Sequence, residues 1–77
     1  MKPVQIRMAR AALGWGVRDL AEKAGITANT VTRIENGADA KQSTLEAMRK
    51  AMEEAGVIFV AENGEGPGVR LRKNHSD

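Results

Sequence analysis

The chain has 77 residues, no cysteine and a formal net charge of only +2. A chain of this length forms one domain at most and buries proportionately little surface, so association with a second copy is a natural source of stability. The lack of cysteine excludes disulfides and thiolate metal sites. Arg7 and Arg10 interrupt every N-terminal run that could form a signal peptide, and no segment approaches the roughly 18 apolar residues of a membrane span. We therefore expect a cytoplasmic protein without a membrane segment.

The first predicted helix extends from about Pro3 to Leu13. Proline suits the first position of a helix, and apolar residues continue at helical spacing as far as Gly14. The continuous stripe consists of Val4, Met8, Ala11 and Trp15, with Ile6 and Leu13 beside it. Arg10 lies at the edge of this apolar stripe. A charged residue there either has a partner on another helix or extends its head group to solvent.

Two short predicted helices follow, joined by a tight turn. The first has a single apolar stripe, and Gly25 follows where a left-handed residue would end it. That stripe consists of Val17, Leu20, Ala21 and Ala24. Thr27 is suited to cap the second helix, which Asn36 and Gly37 end. A short helix entered through a sharp turn is the geometry by which a helix-turn-helix presents side chains to the DNA major groove.

The second of these helices has two different faces. Val31, Ile34 and Glu35 share one face. The opposite face is small and polar, and consists of Ala28, Asn29, Thr32, Arg33 and Asn36. Asparagine can pair with adenine, arginine with guanine, and threonine or alanine can contact a thymine methyl group. The alternative is that this face is an ordinary solvated surface.

In this region the chain resembles the lambda-type repressor and Cro proteins, also called XRE-type regulators. The resemblance extends from about Val4 to Ala55. The resembling residues are Asp19-Leu20-Ala21, Ala24-Gly25-Ile26-Thr27, Thr30-Val31 and Arg33-Ile34-Glu35-Asn36-Gly37. The resemblance implies a four-helix lambda-repressor-like fold and an ion pair between Arg10 and Glu35. The family commonly has glutamine at the start of its second helix, where this chain has Val17, so that contact is lost or Arg18 replaces it.

Residue chemistry and the resemblance together predict two sets of DNA contacts. The predicted base contacts are Ala28, Asn29, Thr32 and Arg33, on the outward face of the third helix. The predicted phosphate contacts are Arg18, Thr27, Asn36 and Lys41, around that face. Phosphate contacts fix the register of a protein on the duplex, whereas base contacts read its sequence.

The remainder of the chain contains a fourth helix and a change of pattern. After a loop from Ala38 to Gln42, Ser43 and Glu46 have the spacing of a capping box, and Gly56 ends the helix. Residues 57–60 are β-branched and aromatic, a glycine-rich turn follows, and residues 69–72 alternate apolar with basic side chains. We expect a mainly α fold with a helix-turn-helix domain at 1–56, a β-hairpin at 57–72 and a disordered tail at 73–77. The family usually has a fifth helix here, so the resemblance ends before the hairpin.

The sequence does not indicate an enzyme. Its one histidine, His75, lies in the predicted tail, and there is no cysteine nucleophile. The glycine-rich run at 63–68 lacks the Gly-Lys-Ser/Thr ending of a phosphate-binding loop. We expect no catalytic residue, metal or cofactor, and no sensing of an effector by this chain.

Two functions remain from these patterns. The first is a DNA-binding transcriptional regulator, a repressor, that binds a palindromic operator as a homodimer. A two-stranded hairpin is marginal alone and its first strand is apolar on both faces, which predicts dimerisation through Val57, Ile58, Phe59 and Val60. The alternative is an antitoxin-like or adaptor module that binds a protein partner through the same strands. The two functions can coexist in one protein.

Overall fold

A computed structural model of the chain describes residues 1–73 and contains four helices followed by two strands. The helices are α1 (Pro3–Leu13), α2 (Val17–Ala24), α3 (Ala28–Glu35) and α4 (Gln42–Glu54), and the strands are β1 (Val57–Val60) and β2 (Gly68–Leu71). The predicted fold class, four helices with a two-stranded β extension, is confirmed. Of the predicted tail at 73–77, only Lys73 lies within the described residues. Within residues 1–73, none of the helices has the length and apolar character to cross a membrane.

The second and third helices are delimited by local hydrogen bonds and backbone conformation. The Asp19 carboxylate accepts from the Gly16 N–H at 2.7 Å, which compensates in part for the missing side-chain cap at Gly16. Gly25 has a φ of 72°, a left-handed conformation that ends α2 and that glycine adopts without strain. Thr27 caps α3, since its Oγ1 accepts from the Thr30 N–H at 3.1 Å.

The predicted capping box of the fourth helix is wrong. The helix begins at Gln42 with Lys41 as the extended N-cap residue, two positions before Ser43. Ser43 therefore lies inside the first turn, where it cannot occupy the extended backbone conformation of a cap. The Glu46 carboxylate instead accepts from the Gln42 side chain at 3.1 Å, one helical turn away.

α1 has two apolar stripes, and the structure buries the one that the sequence pattern emphasised less. Ile6 and Ala9 are fully buried in the core, and Leu13 packs against it. Val4, a member of the predicted continuous stripe, is 50% exposed. At 100° per residue, Val4, Met8 and Ala11 lie on nearly the opposite side of the helix from Ile6 and Ala9. The helical period of α1 is as predicted, but the side of α1 that faces the core carries Ile6, Ala9 and Leu13.

The two strands pair antiparallel, with Val57 opposite Leu71 and Val60 opposite Gly68. β2 begins one residue earlier than the predicted 69–72. Side chains alternate between the faces of a sheet, so Val57, Phe59 and Val69 share the face that packs on the helical core. Ile58 and Arg70 are opposite each other on the other face, and both are exposed.

Side chains from two helices hold the hairpin in place. The Gln5 side chain of α1 is buried, and its Nε2 donates to the carbonyl oxygens of Val60 and Gly68, both at 3.0 Å. The Arg49 guanidinium of α4 lies 5.6 Å from the centre of the Phe59 ring, a cation–π contact. The hairpin is therefore fastened to α1 near its turn and to α4 along β1.

Candidate nucleic-acid interface

The inward face of α3 is anchored in the core. Val31, Ile34 and Glu35 are all buried, and they follow the i, i+3, i+4 spacing of one helical stripe. α3 packs on α2 and on α1. The position and rotation of α3 are thus fixed by burial, which determines the residues on its other side.

The outward face of α3 carries three exposed polar side chains. Asn29, Thr32 and Arg33 are exposed and lie within one turn and a half of helix. Ala28, the fourth predicted base contact, is half-buried and packs partly against the core. The face therefore offers an amide, a hydroxyl and a guanidinium next to one another, with a methyl group at the start of the helix.

The predicted phosphate contacts lie at the ends of three helices. Arg18 is exposed in the first turn of α2, and Lys41 is exposed at the start of α4. Arg33 and Lys41 line one groove together with Asp39, whose carboxylate reduces the local positive charge. The N-terminus of a helix carries a partial positive charge, which adds to the attraction of Arg18 and Lys41 for phosphate.

The side chains of Thr27 and Asn36 already have protein partners. Thr27 Oγ1 caps α3 and lies 2.8 Å from Thr30 Oγ1. The Oδ1 of Asn36 accepts from Arg7 Nη2 at 2.9 Å. Each of these residues can still donate from another group, the backbone N–H of Thr27 and the side-chain Nδ2 of Asn36.

Arg10 and Glu35 form a close ion pair between α1 and α3. Arg10 Nε and Nη2 donate to the two carboxylate oxygens of Glu35 at 2.7 and 3.0 Å, a bidentate arrangement. The side chains are 20% and 6% exposed, respectively. The hydrogen bond to Glu35 raises the pKa of Arg10 above its ordinary value, burial opposes this, and the charge of Glu35 adds to the rise. Arg10 Nη1 also donates to the carbonyl of Trp15 at 3.2 Å, so one guanidinium joins α1, α3 and the linker before α2.

Arg7 is a residue of this region that sequence reasoning missed. Its Nη2 donates to the carbonyl oxygen of Glu35 at 3.0 Å as well as to Asn36 Oδ1. Its Nε lies 3.5 Å from Glu35 Oε1. The available signal was spacing, because Arg7 precedes Arg10 by three residues and so lies near it on the side of α1 that faces α3.

The described residues contain no group of three or more histidine, cysteine, aspartate or glutamate side chains that could hold a metal ion. His75 lies outside those residues.

A comparison with known protein families matches the part of the chain that contains this surface. A family model described as helix-turn-helix matches residues 6–55, which span α1 to α4 and most of the chain. No curated protein matches the sequence. The matched family is one of DNA-binding regulators and not of enzymes. The chain therefore belongs to the lambda/Cro-type (XRE) family of helix-turn-helix transcription regulators.

Proposed function

We propose that this DNA-binding regulator is a repressor that reads the major groove with α3 and binds a palindromic operator as a homodimer. The observation that carries the proposal is the division of α3 into a buried apolar face and an exposed polar face. A helix held by one side and polar on the other is suited to enter the major groove without losing its contacts to the protein.

The exposed residues of α3 fit base edges. Arg33 can donate two hydrogen bonds to a guanine, and Asn29 can pair bidentately with an adenine. Thr32 can meet a thymine methyl group or a polar base edge, and Ala28 can meet a methyl group. Because several of these contacts need a particular base, the operator should show strong preferences at three or four adjacent base pairs.

The surrounding groups fit the phosphate backbone. Arg18 supplies positive charge in the first turn of α2, Lys41 supplies it at the start of α4, and Asn36 supplies an amide donor at the C-terminal end of α3. Thr27 would contribute through its backbone N–H, since its hydroxyl caps the helix. With a net charge of only +2, binding depends on this local clustering and should weaken steeply with salt.

The dimensions of the molecule support a dimer. The chain measures 32 × 31 × 19 Å, and it has one α3. Successive major grooves on one side of a duplex lie about 34 Å apart, so one copy cannot occupy both. A two-fold pair of copies has a second α3, which can occupy the second groove.

The exposed apolar residues support the hairpin as the dimer contact. The large apolar side chains that are most exposed in residues 1–73 are Val4, Ile58 and Leu71, and all three belong to α1 or the hairpin. Val57 and Phe59 face their own helices, so they would join a dimer through their backbone, whereas Ile58 faces away from the helices. β1 has no charged residue, whereas β2 carries Arg70, and charged residues on a strand edge discourage pairing. We therefore propose pairing between the β1 strands of two copies.

A dimer on a promoter would act by occlusion. Two copies bound over successive major grooves would exclude polymerase wherever the operator overlaps a promoter. We assign the repressor role on this basis and place the protein in the cytoplasm with the DNA it regulates.

Selection of bound duplexes from a random pool tests the proposal. The expected result is a two-fold symmetric motif whose half-sites have centres about 34 Å apart. The logarithm of the association constant for the selected duplex should fall linearly with the logarithm of the salt concentration. A pool with no enriched sequence would contradict sequence-specific reading, and a single asymmetric half-site would contradict the dimer.

A further inference from the structure

The C-terminal end of α3 is an unfavourable place for a phosphate contact unless something alters its charge. The last carbonyl groups of a helix carry a partial negative charge, and Glu35 adds a full negative charge in the last turn. Asn36, the proposed phosphate contact, directly follows these groups. A phosphate approaching Asn36 therefore meets repulsion from both the helix end and the carboxylate.

Two arginines of α1 reverse this local charge. Arg10 makes both of the short hydrogen bonds to the Glu35 carboxylate, whereas Arg7 Nε is 3.5 Å from it. Arg7 uses Nη2 for the Glu35 carbonyl, one of the groups that give the helix end its negative charge. The three side chains together carry one net positive charge, and Arg7, the more exposed arginine, places it at the helix end.

Arg7 also determines how the Asn36 amide is turned. An amide side chain has one oxygen that only accepts and one nitrogen that only donates, and a phosphate oxygen can only accept. Arg7 Nη2 donates to Asn36 Oδ1 at 2.9 Å. Because Arg7 holds the oxygen, the Nδ2 group of Asn36 points away from the arginine. Its N–H groups can then donate to a phosphate.

We propose that Arg7 is a positioning residue for DNA binding. Its guanidinium holds Asn36 Oδ1 and the Glu35 carbonyl, so that the Asn36 Nδ2 donors face a phosphate oxygen at a helix end made locally positive. This proposal rests on the proposed function, because it deepens the role of Asn36 in backbone contact.

A double-mutant cycle in DNA affinity tests the proposal at fixed salt concentration. The proteins are the full chain, Arg7→Met, Asn36→Ala and the double variant. The probes are the duplex selected from a random pool and a scrambled duplex of the same composition. Each single variant should lose about tenfold in affinity for both duplexes, since a charged hydrogen bond is lost. In the Asn36→Ala background, Arg7→Met should cost only about twofold, because the two residues act on one contact.

The control variant is Lys50→Met, which removes one positive charge from an exposed position on α4. It should bind both duplexes within about twofold of the parent, since surface charges away from the contact are screened by salt. Thermal unfolding of each variant identifies a temperature at which all are folded, and affinities are compared there. This comparison separates a loss of folded protein from a loss of DNA contact.

The outcomes distinguish this proposal from the proposed function. If the parent binds no duplex, the proposed function fails. If the parent binds and Arg7→Met binds equally well, only the role of Arg7 fails. If the losses from Arg7→Met and Asn36→Ala add fully in the double variant, Arg7 acts independently of Asn36, and positioning is overturned.

Discussion

The helical unit (residues 3–54) and the hairpin (residues 57–71) differ in how much of their own surface they bury. Each helix contributes residues to a common buried core, and the ends of α2 and α3 are satisfied by hydrogen bonds from neighbouring residues. In the hairpin Val57 is fully buried, Phe59 and Val69 are half-buried, and Ile58 and Leu71 are more than two-fifths exposed. A two-stranded hairpin is marginal alone in water, so this one depends on the helices for its stability. The helical unit is organised around α3, whereas the hairpin has an outer face available for a second role.

The two regions are connected by few polar contacts. Gln5 of α1 is hydrogen-bonded to both strands, and Arg72 Nη2 donates to the Glu53 carbonyl of α4 at 3.3 Å. The difference between the regions can therefore be tested at three places. These are the Arg10–Glu35 ion pair inside the helical unit, the outer face of the hairpin, and the contact of Gln5 that connects the two regions.

The largest effect is expected from breaking the ion pair within the helical unit. Arg10→Met leaves the Glu35 carboxylate buried with only the longer contact to Arg7. An uncompensated buried charge is costly, so the free energy of unfolding should fall by about 3 kcal/mol. The double variant, with Arg10→Met and Glu35→Leu, should lose much less of the free energy of unfolding. Urea unfolding of the two variants makes the comparison.

The exposed pair on α4 provides the control for this prediction. Glu53→Gln removes a contact of 2.8 Å to Arg49 in which both side chains are more than two-fifths exposed. It should change the free energy of unfolding by about 0.5 kcal/mol or less. If Arg10→Met were as mild as Glu53→Gln, the pair between α1 and α3 would not contribute to holding α3 in place.

The second effect concerns the outer face of the hairpin. Ile58→Lys places a charge at the proposed dimer contact while leaving the core-facing side chains unchanged. The variant should sediment as a monomer and lose about 100-fold or more in affinity for a palindromic duplex, because linked binding of two half-sites is lost. Affinity for a single half-site should change little.

Asn63→Lys is the matched variant for Ile58→Lys. It adds the same charge to an exposed position in the turn of the hairpin. It should remain a dimer and keep its affinity for the palindromic duplex. A parent protein that is already monomeric at micromolar concentration would refute dimerisation through the hairpin outright.

The smallest effect is expected from breaking the connection between the regions. Gln5→Leu keeps a similar volume but removes the donor to the Val60 and Gly68 carbonyl groups. Loss of these part-buried hydrogen bonds should lower the free energy of unfolding by about 1 to 2 kcal/mol. Amide hydrogen exchange should accelerate in the hairpin more than in α3.

Gln42→Leu is the comparison for Gln5→Leu, since the Gln42 side chain bonds only to exposed Glu46. It should be nearly neutral. Equal exchange rates in the hairpins of the Gln5→Leu variant and the parent would mean that apolar packing alone holds the strands.

The helical unit was largely predictable because its signals are local. Gly25 and Thr27 define the turn between α2 and α3 through backbone conformation and capping, both of which depend on a few neighbouring residues. The inward stripe of α3 follows from spacing alone. The failure at Ser43 is of the same local kind, since Ser43 lies two residues after the true N-cap, Lys41, and so cannot cap the helix.

The contacts between regions could not be read from the sequence. Gln5 looks like a solvent-exposed helical residue until the hairpin is placed beside α1, because its partners are backbone carbonyls more than fifty residues away. Arg7 was missed for a related reason, since Arg10 alone was sufficient to satisfy Glu35. Two apolar stripes on α1 left the choice of inward face to tertiary packing.

The most direct test of the central claim, that α3 reads base pairs, is the base preference of Arg33→Ala. Affinity is measured for the selected duplex and for every single-base-pair variant of one half-site, with Lys41→Ala as the comparison. Arg33→Ala should lose about 1 to 3 kcal/mol of discrimination at one or two base pairs and keep the parent's preferences elsewhere. Lys41→Ala should weaken all duplexes about equally. If Arg33→Ala kept the parent's preference at every base pair, reading by the outward face of α3 would be contradicted.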